Sequence, residues 1–180
     1  MRVTALLFCL LVLLQPYNLP VASELNIIRD RTIESIRIGD PSKNIFTFLK
    51  SKYEIKDIKN PRSARSILLI SHGEKIIEFW IDSHDRIFLI NIFAHYVTPE
   101  NIGVGSTLTD AVKTYGEATI EPSDPGYFVM LEKLKNIKFL LNNNDLPKNL
   151  RNIPDDVFTS EQEKRILAIG KIRISAIQIF

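Results

Sequence analysis

The side chains able to do chemistry are few, and most are set too far apart to cooperate. Three histidines occur: His72, His84 and His95. In an antiparallel meander His84 falls in one turn and His72 beside the opposite turn. Eight strand residues at roughly 3.3 Å each separate them, which excludes a shared metal. His95 runs back toward Gly73, so a His72–His95–Glu74 ligand set is conceivable. Solvated turn residues and a strand histidine account for the same pattern. Ser71-His72 and Asp82-Ser83-His84-Asp85 hold the ingredients of a hydrolase triad. Neighbours on a strand point to opposite faces, so Ser71 and His72 are not expected to bond to one another. Asp and Ser are also ordinary turn formers. Gly103-Val104-Gly105-Ser106-Thr107 before a helix resembles an anion cradle but lacks a third glycine and a following lysine. It reads as a tight turn and an N-cap. Trp80, the single tryptophan, alternates away from Phe79 and Ile81 and shares a face with Glu78 and Asp82. It is the candidate binding residue, since tryptophan is enriched at contact hot spots.

These residues need elements to hold them, and the clearest organisation is an echo at an offset of 66 residues. Ile38-Gly39-Asp40-Pro41 opens one unit and Val104-Gly105-Ser106-Thr107 the other, each pairing a glycine with a good start to a helix. A helix with Leu108, Ala111, Val112 and Tyr115 on one face follows the second, stopped by Gly116. Ile45, Phe48 and Leu49 make the corresponding face in the first. Strands come next, at Ile67 to His72, Lys75 to Asp82 and Arg86 to Val97. In the second unit Tyr127 to Leu134 and Ile137 to Leu141 form a hairpin around Lys135-Asn136. The third strand waits until Lys171 to Phe180, alternating Ile172, Ile174 and Ala176 against Arg173 and Ser175. The delay is an insertion: a polar loop from Asn142 to Pro154, then a helix from Ser160 to Ile169 with a Ser160/Glu163 capping box and Gly170 at its end. The predicted fold is therefore α+β. Two tandem helix-plus-three-strand units, about 35–97 and 101–180, share an antiparallel sheet with a helical insertion before the last strand. Residues 24–34 have no clear type.

Ahead of this domain, residues 1–23 carry Arg2, an apolar run from Val3 to Leu14, and a tail ending Val21-Ala22-Ser23. That is the layout of a cleavable export signal. The apolar run is too short for a spanning helix. Cys9, the only cysteine, lies early and follows bulky Phe8, so it does not mark a lipidation site. The domain expected from Glu24 to Phe180 has no cysteine and hence neither disulfide nor thiol catalysis. The formal net charge is +2, one lower without Arg2, and no basic tail exists to draw nucleic acid or an anionic membrane.

The repeated order of glycine, cap, short helix and meander resembles the tandem units of the β-lactamase-inhibitor-protein and outer-membrane-assembly-lipoprotein architecture. That resemblance implies a fold that mostly binds other proteins. The span from Phe79 to Phe180 is also similar to the sigma-E-regulated envelope lipoproteins of Gram-negative bacteria. The matching features are a strand–turn–strand, Ile102-Gly103-Val104-Gly105-Ser106-Thr107, a helix ending Tyr115-Gly116, a hairpin, and Leu150 to Asp156 before a final strand. That family implies no activity to carry over, and its lipid-accepting cysteine is missing at the cleavage site here. The expectation is a periplasmic or secreted, non-catalytic, macromolecule-binding or inhibitor-like module without cofactor or metal. Its partner would be another protein or an envelope component, met through the Trp80 face with the Asn142–Ile169 insertion beside it. A hydrolase or metal-dependent enzyme and a structural envelope-stress protein are the alternatives.

Overall fold

The computed structural model describes residues 26–29, 31–59, 64–94, 96–124, 126–151 and 153–180. The export signal expected at residues 1–23 and His95 lie outside them. In chain order the elements are strands β1 (Asn26–Ile27), β2 (Thr32–Ile33) and β3 (Ile36–Arg37), then helix α1 (Lys43–Leu49). Strands β4 (Glu54–Ile58), β5 (Arg65–Ser71), β6 (Glu74–Ile81), β7 (Ile87–Ile92) and β8 (Tyr96–Val97) follow. Helix α2 (Leu108–Tyr115) then precedes β9 (Ala118–Ser123), β10 (Gly126–Leu131) and β11 (Leu134–Leu141). Three short 3-10 turns, helix α3 (Ser160–Ile169) and β12 (Ile174–Ile179) complete the chain.

Eight strands form one antiparallel sheet in the order β4-β5-β6-β7-β12-β11-β10-β9. The four strands after α1 and the four after α2 are thus laid out in the same sequence. They meet through the last strand of each group, β7 against β12. The fold is α+β, with helices flanking a sheet built from two strand groups. Each group has one more strand than expected. The extra strands, β4 and β9, are the two sheet edges, where half-exposed positions remove the apolar alternation that reveals an inner strand. Pro122 in β9 fits such a place, because a strand edge has no ladder bond for it to break.

The echoed turns have one geometry. Gly39 and Gly105 both adopt φ +93°, a region open to glycine at little cost. Gly39 N–H donates to the Ile87 carbonyl and Ile87 N–H to that of Asp40, at 2.7 and 3.0 Å. Gly105 N–H donates to the Ile174 carbonyl and Ile174 N–H to that of Ser106, at 2.8 and 2.9 Å. Each turn therefore ties a helix start to the last strand of its own group, at the middle of the sheet.

One face of the sheet packs on the helices. Ile67, Leu69, Ile77, Phe79, Ile90 and Ile92 of the first group join Val129, Phe139, Ile177 and Ile179 of the second in a single core. Ile45 and Leu49 of α1 and Leu108, Ala111 and Tyr115 of α2 cover it. Phe48, expected on the inner face of α1, is 53% exposed; Phe46 packs against the core instead. The insertion joins the same layer through Leu146, Leu150 and Ile166. The Tyr127 hydroxyl accepts the Ile153 N–H at 3.0 Å, and its ring meets Phe158. The α3 capping box uses Thr159 and Gln162, one residue earlier than expected. Glu163 is thereby left to accept the Ile120 N–H of β9 at 2.9 Å.

Two strand boundaries and one register also differ. The segment expected as one strand to Val97 breaks after Ile92, and β8 pairs in parallel with β1. The β10–β11 turn is at Glu132-Lys133 rather than Lys135-Asn136. A register shift between Leu140 and Leu141 changes which side of β12 faces the core. Beyond it Ile177 and Ile179 point inward, and Ala176 turns to the opposite face, away from Ile172 and Ile174.

Candidate functional site

Among the described residues the other sheet face carries no helix. Leu68, Trp80, Leu89, Phe128, Met130 and Leu140 are half-buried and lie outside the core. Strand alternation puts them there, because all their chain neighbours except Phe88 are core residues. The register aligns one rank of side chains across the middle of this face: Leu68, Glu78, Asn91, Gln178, Lys138 and Met130. The central members are joined. Lys75 Nζ donates to Glu78 Oε2 at 3.0 Å, Asn91 Nδ2 reaches the same oxygen at 3.4 Å, and Gln178 Nε2 donates to Asn91 Oδ1 at 3.1 Å. Lys138 pairs with Glu121.

Apolar groups flank the polar rank. Trp80 lies two residues beyond Glu78 on β6, and Phe128 two residues before Met130 on β10, on the opposite side of the rank. Phe128, Leu140 and Ala176 align with one another across three strands. Together with Glu78, Asn91 and Gln178 these residues line a cavity of 350 Å³, a volume within the usual range of ligand sites. The Glu78 side chain is 13% exposed. Lys75 Nζ sits 4.1 Å from the centre of the Phe93 ring. Trp80 Nε1 is enclosed and has no hydrogen-bond partner among the described residues. Trp80 is thus on the face that alternation predicts, neither buried in the core nor fully open. The insertion is not beside it: its apolar residues are drawn into the core on the helix side.

The other sequence candidates have structural roles. Ser71 Oγ and His72 Nδ1 are 3.0 Å apart, contrary to expectation, because His72 has left the strand for a turn at φ +52°. Both are at a solvent-facing hairpin end. Asp82 Oδ1 accepts the backbone N–H groups of His84 and Arg86 at 2.8 and 2.9 Å. The bond from Arg86, with that from His84, holds the Asp82 carboxyl below its ordinary range. Asp85 accepts from the Ser42 hydroxyl at 2.7 Å and from Arg65, fastening the turn to the start of α1. His72 and Glu74 are exposed. Among the described residues no three His, Cys, Asp or Glu side chains group as metal ligands.

At the suspected anion cradle, the N–H groups of Gly103, Gly105, Ser106, Leu108 and Thr109 all donate within the protein. Asp110 N–H donates to Thr107 Oγ1 at 3.2 Å. Most of the donors an anion would need there are thus already engaged. A second cavity, of 410 Å³, adjoins Arg29, Glu100, Tyr115 and Lys133. In it the Tyr115 hydroxyl bridges Thr98 and Glu100. Burial, with the Glu100 carboxylate, pushes that phenol up to about 12, so it stays a neutral donor.

The residues that sequence reading passed over are Asn91, Gln178 and Phe128. Asn91 and Gln178 are polar interruptions in otherwise apolar strands, which was a usable sign. Their meeting was not readable, since it depends on β7 pairing with β12.

No family model matches the chain, and no curated protein matches it in sequence. Among solved structures it is similar to the crystal structure of the uncharacterized protein yfeY from Escherichia coli, with a TM-score of 0.55 and 10% identity. The match covers 86% of this chain and 96% of that one. The likeness is one of fold.

Proposed function

We propose that this chain is an exported, non-catalytic binding module that engages a macromolecule of the cell envelope through the open sheet face bearing Trp80. One observation carries the reading. Helices and insertion both pack on the same side of the sheet, which leaves a broad face with a tryptophan, a phenylalanine and a half-buried polar rank. Half-buried aromatic and aliphatic side chains around a few polar groups are the make-up of a binding surface. Ser71 and His72, like Ser83 and His84, stand instead at hairpin ends, each serine beside the histidine that follows it. Residues 1–23 support export to the periplasm or beyond.

The test is capture from an envelope extract with wild-type protein, Trp80→Ala, and a helix-face control, Glu161→Ala. Loss of an aromatic anchor costs about 2 kcal/mol, roughly thirtyfold in affinity. The expected result is a component retained by wild type and control and lost with Trp80→Ala. Equal retention by all three folded proteins would place the binding surface elsewhere. N-terminal sequencing of the exported protein is expected to begin at Glu24; an intact Met1 in the envelope fraction would refute processing.

A further inference from the structure

We infer that the trough between Trp80 and Phe128 binds a neutral saccharide chain. This rests on the binding-face reading and names the chemistry of its ligand. The charged groups around the cavity argue against an ionic ligand. Glu78 and Asp124 both line it against one lysine, Lys75, which disfavours an anion. A cation would have to displace Lys75, which already lies over the Phe93 ring and pairs with Glu78. An alkyl chain would cover Glu78, Asn91 and Gln178 without offering hydrogen bonds, at the cost of desolvating all three.

A saccharide meets each of these demands. Its hydroxyls donate and accept, matching amides that do both and a carboxylate that accepts. Glu78 Oε1 and Gln178 Oε1 accept no hydrogen bond among the described residues, although the partner atoms Glu78 Oε2 and Gln178 Nε2 are engaged. The C–H face of a pyranose is weakly electropositive and packs against the electron-rich face of an aromatic ring. Trp80 on β6 and Phe128 on β10 are separated by four interstrand steps, roughly 19 Å at 4.8 Å each, and by four residues along the strands, so that they stand about 23 Å apart on a diagonal of the sheet. A single sugar does not reach both; a short chain lying across the strands does.

The single tryptophan makes the test specific. Trp80 emission is followed while cello-, malto-, chito- and mannotetraose are added to millimolar concentration, with isothermal titration in parallel. A saturable response to at least one tetrasaccharide is expected. Asn91→Ala and Gln178→Ala should each weaken it about tenfold, the worth of a buried ligand hydrogen bond. Phe128→Ala, on the other half of the sheet, should weaken it too, and Glu161→Ala should not. Circular dichroism confirms that each variant is folded. No saturable binding of any of the four sugars overturns the inference, as does binding indifferent to Asn91, Gln178 and Phe128. If a protein is captured through Trp80 while all four sugars fail, the saccharide is wrong and the binding face stands. If capture also ignores Trp80, both readings fall.

Discussion

Replacing Glu34 should loosen the N-terminal segment from the domain by a measurable amount. Glu34 sits between β2 and β3 at φ +49°, with its side chain only 13% exposed. Its carboxylate accepts from the Tyr96 hydroxyl at 2.7 Å, the Tyr53 hydroxyl at 3.0 Å and Lys52 Nζ at 2.7 Å. Tyr96 is 2% exposed, so its hydroxyl depends on protein partners. Glu34→Ala leaves it only Tyr53, 3.0 Å away. Hydrogen bonds to a charged group are worth about 1.5–3 kcal/mol, and the Lys52 pair, whose lysine is half exposed, adds less than about 1. A loss of about 3 kcal/mol follows, which lowers the melting temperature by roughly 6–12 °C for a chain of this size. Glu34→Gln keeps an acceptor and should lose about half as much.

Acid supplies a second reading. Burial alone would raise the Glu34 carboxyl, but the bonds from Lys52, Tyr96 and Tyr53 outweigh it and hold the group below its ordinary 4.5. Its contribution is therefore complete above that value and is lost as pH falls through the lower, folded one. Thermal melts followed by circular dichroism should show wild type and Glu34→Gln converging in acid. Variants within about 0.5 kcal/mol of wild type at neutral pH, or a gap that persists in acid, would refute the pin.

Two further outcomes are expected. An added Cβ at Gly103 would lie 2.0 Å from the Tyr96 carbonyl oxygen and 2.8 Å from Val97 Cγ1. Gly103→Ala should thus cost about 3 kcal/mol or more by denaturant unfolding. Gly105→Ala meets nothing within 4 Å and should cost only the strain of its positive φ, about 1–2 kcal/mol; the reverse order would be wrong for this geometry. Asp145 receives both guanidinium and backbone N–H bonds from Arg173 at 2.8–3.0 Å. The Arg173 side chain, with its N–H, draws that carboxyl down to about 2. Its stabilisation is present above 3.8 and is lost as pH falls toward 2. Denaturant midpoints of wild type and Asp145→Asn should therefore differ near neutrality and meet only in strong acid.

The local signals in the chain were strong where a short stretch settles its own conformation. Glycine followed by a polar residue placed both helix starts to within two residues, although the N-cap positions are Ser42 and Thr107 rather than Asp40 and Ser106; Gly170 marked the end of α3, and apolar alternation the inner strands. From these the α+β class, the two strand groups and the face occupied by Trp80 were readable. Edge strands β4 and β9 were not, because an edge buries little and so has no need of an alternating pattern. The cap of α3 moved to Thr159 because Gln162 closes the box while Glu163 serves β9, a choice made by a strand forty residues away. The inward turn of Ile177 and Ile179 depended on a register shift against β11. Most of all, the polar rank joins Glu78, Asn91, Gln178 and Lys138 from four strands, and Asn91 meets Gln178 only because β7 lies against β12. Periodicity reports which side of its own strand a residue occupies. Which residue stands opposite is decided by the pairing of distant strands, and the core that fixes that pairing is assembled from the whole chain.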